Sequence, residues 1–582
     1  MRAVLLVTIT MIAAACGGNN KSNGSDGGGG SNGSDGGMMP VADTPMATDM
    51  TCAQLPPVAS GTCAVTAGST ALLVEGEVLT PSTVFHGGQV AVNAAGTITC
   101  VGCNCAAGGE TVISCPGASI SPGLIDVHDH ITYAQNLPTP ATTERYDDRQ
   151  QWRLALEGHT KSDPPAASSS TLVEVVRWAE LRHLMSGTTS LSASGGEAGL
   201  ARNLDKSTLL GPGLTAKSIF FDTFPLDDTG GPQETANCNY GTSAETASGI
   251  SSDSAYEPHT AEGVDNYAHN EFLCESSATY DTMTPGVSND IMLSKTSMIH
   301  AVGLNAVDYQ AMAGVGTSMV WSPRSNISLY GDTARVTVAS RLGVNIALGT
   351  DWMPSGSMNI LRELACASDF NTTYLASYFT PQSLWEMVTQ NAAKVAKMDA
   401  SIGVLATGLL ADISVFAPQA GKSPFEAVID AQPEDVALVL RAGVALYGDD
   451  AVVTALNTTS CDAVTVCSTA KRVCLMSEIS ETYTTLSTNN ASSYPAFQCG
   501  TPMSEPTCLP TRPTSVASST VFTGVVTSTD SDGDGIPDAM DNCPTVWNPI
   551  RPMDNGKQPD ADGDGMGDAC DPCPLDKTNS CH

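Results

Sequence analysis

The segment Ser121-Pro122-Gly123-Leu124-Ile125-Asp126-Val127-His128-Asp129-His130 constrains the fold of this chain more than any other. An apolar strand entered through Pro-Gly delivers two histidines at i and i+2, so both rings leave the same strand face. Two imidazoles on one face, at a strand's C-terminal end, form half of a metal site. The alternative is a pair of exposed loop histidines. With nine histidines in 582 residues, that pairing directly after a buried strand argues for the metal site. From Ser121 onward, short apolar runs ending in polar residues alternate with helical stretches such as Leu172 to Met185. Strand-then-helix alternation over about 250 residues predicts an α/β fold, a (β/α)8 TIM barrel.

The flanks read differently. Ala71 to Ile98 alternates apolar and polar residues with turn signals, and Gly403 to Val415 and Val436 to Tyr447 return to that pattern. The expected layout is a small composite β-sandwich, residues 51–120 and 395–475, on either side of a barrel at 121–394. Residues 476–527 read as a Ser/Thr/Cys-rich linker, and 528–582 as an acidic repeat tail.

Met1 to Ala15 has a positive start at Arg2, an apolar run and small residues before Cys16, as in a signal peptide. The run is too short to span a bilayer. Small residues directly before Cys16 resemble a bacterial lipobox, which implies cleavage there and lipidation of Cys16. An incidental cysteine after a plain signal peptide is the simpler alternative. Residues 16–50 then serve as anchor and tether, because the Gly, Asn, Ser and Asp tract Gly17 to Gly37 has nothing to bury. The membrane contact expected is through this N-terminal lipid only. Gly17 after Cys16 resembles outer-membrane sorting, which places the protein at a bacterial outer membrane or cell surface.

Removing Cys16 leaves 18 of the 19 cysteines, an even number that suits disulfides in an exported chain. Cys103 and Cys105 have zinc-site spacing, but an oxidising compartment favours disulfides there too. Lys plus Arg total 26 against 61 Asp plus Glu, a formal charge of -35. Such a chain repels phosphate backbones, so nucleic acid is excluded as a partner.

The Pro-Gly-x-Ile-Asp-x-His-x-His segment resembles the first barrel strand of the amidohydrolase superfamily, and three later segments fit the same pattern in order. Tyr256-Glu257-Pro258-His259-Thr260-Ala261-Glu262 resembles the family's strand-five His-x-x-Glu. Ser297-Met298-Ile299-His300, followed by Trp321-Ser322-Pro323-Arg324-Ser325-Asn326, resembles strand six and beyond in the cytosine deaminase-like and chlorohydrolase-like branch. Gly343 to Asp351 resembles the strand-eight Gly-Thr-Asp. The resemblance implies His128, His130, His259 and Asp351 as metal ligands, with Glu262, His300 and Asp351 catalytic. Glu262 would shuttle a proton, His300 would polarise the attacked group, and Asp351 would also take the water's proton. Zn²⁺, one per barrel, is the expected ion, with Fe²⁺ as the alternative.

Dinuclear relatives use a carboxylated lysine; Lys217 stands in that region but reads as a surface residue. Trp178 to Thr189 resembles the family's early helix and strand, which makes His183 helical scaffold. Asn391 to Val415 resembles the barrel's exit, although Gly408-Leu409-Leu410-Ala411-Asp412 lacks the usual Lys.

The function implied is hydrolysis of a non-peptide carbon–nitrogen bond in a small molecule, by deamination of a heterocycle or opening of a cyclic amide. Two other readings stand beside it: a dipeptidase or dechlorinating hydrolase on the same barrel, or an inactive calcium-binding surface lipoprotein. Arg153, His159, Arg324 and Trp352 are candidate substrate contacts, each equally readable as structural. An oligomer is compatible with the sequence.

In the tail, Asp530, Asp532, Asp534 and Asp538 alternate with glycines, and Asp560, Asp562, Asp564 and Asp568 repeat the spacing. Alternating carboxylates in a Gly-bent loop offer hard oxygens to Ca²⁺. With Asp541-Asn542-Cys543-Pro544 and Asp568-Ala569-Cys570-Asp571, the tail resembles thrombospondin type 3 repeats, and a disordered acidic tail is the alternative.

Overall fold

The computed structural model describes residues 46–581 except 141, 457–459 and 517. The expected signal segment, Cys16 and most of the tether therefore lie outside the described residues. Eight parallel strands form the centre: β1 (Leu124–Asp126), β2 (Thr188–Leu191), β3 (Arg202–Asn203), β4 (Ile219–Asp222), β5 (Ala255–Thr260), β6 (Ser297–His300), β7 (Ser318–Trp321) and β8 (Ile346–Leu348). β1 to β3 pair in sequence order, as do β4 to β8. The two sets join at both seams. The Ile219 amide donates to the Leu204 carbonyl (2.9 Å), and the Asp351 amide to the His128 carbonyl (2.8 Å).

Parallel neighbours need crossovers. Helices including Leu172–Leu184, Asn266–Ser276, Ala306–Val315 and Val336–Arg341 supply them. Ile125, Val127, Ile299, Val320 and Ala347 share an apolar cluster with Ala392, Ala393 and Val395 of the helix Gln390–Val395. The expected (β/α)8 barrel is thus closed.

Two glycines set how closely its strands meet. A Cβ on Gly123 would lie 2.3 Å from the Thr189 hydroxyl oxygen. A Cβ on Gly349 would lie 2.3 Å from the His128 Cβ, so only glycine lets the end of β8 approach the first metal-site histidine.

The flanking segments form one eleven-stranded sheet. Strand Glu110–Pro122, which leads straight into β1, pairs in parallel with Ser69–Leu79 and antiparallel with Ile413–Phe416. The chain thus leaves the barrel to complete the sheet it started. Val74, Val90, Ile113 and Ile120 share a core with Ile413, Val415, Leu438 and Leu440.

Residues 476–527 behave less like a linker than like a strap. Trp178 and Arg182 donate to the Tyr494 carbonyl (both 2.8 Å), Arg362 pairs with Glu505 (2.6 Å), and Cys508 is bonded to Cys366. Hydrogen bonds, charge pairs and a disulfide hold this strap, so its sequence needs no apolar periodicity and shows none.

The 18 cysteines after Cys16 close into nine disulfides, with Cys103 bonded to Cys52 and Cys105 to Cys100. The tail is docked as well. Arg551, buried, pairs with Asp332 (2.7 Å) and donates to the Val302 carbonyl (2.7 Å). Among the described residues no helix is long and apolar enough to cross a membrane.

Candidate metal centre

The ends of β1, β5, β6 and β8 bring the expected residues to one place. His128 Nε2 lies 3.3 Å from His259 Nε2, which lies 3.2 Å from His130 Nε2. Asp351 Oδ1 is 3.6 Å from both His128 Nε2 and His130 Nε2. His300 joins His128 and His259 in one cluster, and its Nε2 stands 3.6 Å from Glu262 Oε2. All six residues are buried except His130, which is partly so.

The hydrogen bonds behind the rings fix which nitrogens face inward. His259 Nδ1 lies 3.0 Å from the Asp222 carbonyl oxygen, which only accepts, so Nδ1 carries the proton and Nε2 turns a lone pair into the cluster. His128 Nδ1 lies 3.0 Å from Ser322 Oγ, a hydroxyl able to accept from a protonated Nδ1. The Asn326 carbonyl accepts from Thr333 Oγ1 (3.2 Å), which leaves the Asn326 amide to donate to His300 Nδ1 (3.2 Å). His300 Nε2 then carries hydrogen and faces the cavity as a donor.

Burial, reinforced by the neighbouring imidazoles, holds His128 and His259 well below the ordinary histidine range; burial lowers His130 to about 4. Neutral imidazoles with lone pairs converging at 3.2–3.3 Å repel one another unless a cation sits among them. The donor set of three nitrogens and one carboxylate fits a zinc-type ion. Burial also raises Glu262 to about 7, opposed by Arg149 and by a hydrogen bond from Tyr330. A carboxyl poised near neutrality both gives and takes protons.

His300 (φ 69°) and Asp351 (φ 59°) both adopt left-handed backbone conformations at the ends of their strands. Ser325 Oγ donates to Asp351 Oδ2 (2.6 Å).

Among the other candidates, Arg153 and Trp352 line the cavity beside the cluster. His159 instead pairs with Glu144 (3.1 Å), and Arg324 is buried between Glu363 and Glu505. Lys217 is exposed and donates to the Ser252 carbonyl. His183, read as scaffold, does sit on a helix, but its Nε2 contacts Asp129 (3.0 Å), the residue between the two β1 histidines. Tyr330 and Ser322 escaped the sequence reading. Both lie at or just after the Ser322-to-Asn326 motif, but nothing local in the sequence says which partner they reach.

In the tail, Asp530, Asp532 and Asp534 form one carboxylate cluster, and Asp560, Asp562 and Asp564 another. Asp538 and Asp568 tie their loops, accepting from the Ser531 and Ala561 amides respectively (both 2.7 Å).

A closed parallel barrel with imidazoles and a carboxylate at its strand ends defines the class of (β/α)8 metal-site proteins. Residues 310–446 match the Amidohydrolase family, and residues 527–551 match the Thrombospondin type 3 repeat. The first match runs from the helix before β7 through β8 into the flanking sheet, and the second lies in the acidic tail.

It is 28% identical over 128 residues to a 5-methylthioadenosine/S-adenosylhomocysteine deaminase of Clostridium tetani, covering 22% of this chain and 30% of the relative. A Pyrococcus abyssi protein of the same name is 32% identical over 134 residues, covering 22% of this chain and 31% of the relative. The chain thus spans about a third of the length of these relatives. The structure of an adenosine deaminase from Xanthomonas campestris with bound zinc is similar at a TM-score of 0.45 and 16% identity, over 64% of this chain and 92% of that one.

Proposed function

We propose that the barrel hydrolyses a non-peptide carbon–nitrogen bond, by deamination of a small heterocycle or opening of a cyclic amide. The observation that carries this reading is the convergence of His128, His130, His259 and Asp351, with the Glu262–His300 pair alongside. Those four residues would hold a divalent cation, zinc or alternatively ferrous iron, which would supply Lewis acidity and bring an attacking water's pKa towards about 7.

The Asp351 carboxylate accepts the proton that the water gives up. Glu262, in its protonated form, passes a proton from a carboxyl oxygen to the departing nitrogen. His300 donates through Nε2–H to the group under attack and stabilises the negative charge that develops there. Burial of all three keeps bulk water from levelling these interactions.

The test uses the full-length protein loaded with zinc and screened on heterocyclic amines and cyclic amides, with ammonia release and ring opening as readouts. Wild type should retain about one zinc per barrel and turn over a member of one class. Asp351→Asn should lose that turnover; equal rates in the variant would sink the reading.

We assign Ca²⁺ to the two tail clusters, with Asp530, Asp532, Asp534 and Asp538 serving the first and Asp560, Asp562, Asp564 and Asp568 the second. Support comes from Asp532 and Asp534, whose side chains are buried and whose Oδ2 atoms lack a hydrogen-bond partner. Calorimetric titration should give binding at roughly 10⁻⁴ to 10⁻³ M, as in extracellular modules; no heat at millimolar calcium would refute it.

We also propose that the chain is exported and lipid-anchored at Cys16, in keeping with an oxidised cysteine set. Cys16→Ser should move the protein from the membrane fraction to the soluble one.

A further inference from the structure

The cavity beside the metal cluster has a volume of about 550 Å³ and opens past aromatic walls. The Trp152 and Trp352 rings stand 5.1 Å apart, and Tyr133 meets Trp352 edge-on at 5.6 Å. Flat walls of this kind suit a planar ring. The cavity also gathers Arg149, Arg153 and Lys161, three of the 26 basic residues of a chain with 61 acidic ones.

Two of these cations are already answered by carboxylates. Arg149 pairs with Asp228 (2.6 Å) and Glu271 (3.4 Å), and Lys161 with Asp163 (2.7 Å). Arg153 is not. Its partners are the Gln150 side-chain carbonyl, the Thr229 carbonyl (3.4 Å) and the face of Phe224, 4.3 Å from the guanidinium. No carboxylate lies within ion-pair distance of it among the described residues.

A half-buried guanidinium left with neutral partners costs desolvation that an incoming anion offsets. Burial and then the neighbouring Arg149 lower the Arg153 pKa, while Asp228, Glu262 and Glu271 raise it from beyond ion-pair distance. Arg153 is also near enough to the chemistry for its charge to act on Glu262.

We propose that this site takes a planar nitrogen heterocycle bearing an anionic oxygen group, with Arg153 holding the anion and the packed Trp152–Trp352 pair forming one wall beside the ring. The inference rests on the hydrolase reading above and names its substrate class. Arg153 is a specificity residue here, outside the proton-handling set. Its planar fork offers an oxyanion two parallel donors.

The experiment uses matched neutral and anionic probes: 9-propyladenine against 9-(carboxymethyl)adenine, and 1-propylcytosine against 1-(carboxymethyl)cytosine. Binding to the full-length zinc protein is read from quenching of tryptophan fluorescence, and turnover from ammonia release. For at least one base the carboxymethyl member should bind about 10- to 100-fold tighter than its propyl partner. Arg153→Met should abolish that preference by weakening the carboxymethyl probes about 10- to 100-fold more than the propyl ones, and Arg153→Lys should keep part of it. Equal binding of both members, equal weakening of both by Arg153→Met, or no binding of either carboxymethyl probe overturns the proposal. An anion preference without ammonia release upholds the Arg153 subsite and overturns the deamination form of the hydrolase reading instead.

Discussion

The Tyr330 hydroxyl donates a 2.7 Å hydrogen bond to Glu262 Oε1 and in turn accepts one from the Trp152 indole at 2.9 Å. Glu262, the proposed proton carrier, is therefore held by a tyrosine, and that tyrosine by a wall of the cavity beside it. Tyr330→Phe keeps the ring's packing and removes only the hydroxyl. We expect kcat to fall about 10-fold with KM within a factor of about two, in line with loss of one well-aligned hydrogen bond to an acid–base group. Steady-state kinetics on any substrate turned over by wild type checks this, with the thermal midpoint as a control for folding.

Ser322 Oγ stands behind His128 at 3.0 Å from Nδ1 and fixes that ring's direction. Partners of this kind raise a ligand's basicity and hold its orientation, and their loss typically weakens metal binding 10- to 100-fold. Ser322→Ala should lose zinc to a competing chelator at about one-tenth the chelator concentration that wild type needs. An unchanged competition curve would remove Ser322 from the account.

Calcium and pH should compete in the tail. Burial and neighbouring aspartates raise Asp532 to about 7 and Asp534 to about 8, far above the ordinary value of about 3.9. A raised folded-state pKa means that the fold favours the protonated form. The stability it contributes is fully present below about pH 3.9 and is lost as the pH climbs through about 7 to 8. In chelator, then, hydrogen exchange in residues 530–541, corrected for intrinsic rate, should be slower at pH 5.5 than at pH 8.5. Saturating calcium should erase the difference.

Arg551 lies wholly inside the protein, with Asp332 at 2.7 Å and the Val302 carbonyl also at 2.7 Å. Removing one partner of a buried pair strands the other, at a cost of roughly 3–5 kcal/mol. Arg551→Met should lower the thermal midpoint accordingly, and adding Asp332→Asn should recover part of the loss. A double variant no more stable than the single one would show that the pair's charge is not what matters.

Three of the four proposed metal ligands were legible because each is announced locally, whereas His259 follows a Ser-rich segment that announces no strand and was legible only through its His-x-x-Glu pattern. His128 and His130 follow an apolar strand at a spacing of two, and Asp351 closes another such strand. The glycine that lets β8 close on β1 stands two residues before that aspartate. Partners joined only by the fold were not legible. Tyr330 lies 68 residues from Glu262, and His183 lies 54 from Asp129. No periodicity encodes such distances. Arg324 shows the converse: a cation inside a recognisable motif invites a functional role, yet Glu363 and Glu505 claim it from elsewhere. The strap at 476–527 also read as a linker, since disulfides and paired charges leave no repeating signature.

The tail supplies the guanidinium that pairs with Asp332, so its reach extends well beyond its own loops. A fragment that stopped before residue 528 would keep every metal-site residue and still melt earlier than the full-length protein, because the barrel wall around Asp332 would lose Arg551 and the Trp547 indole together.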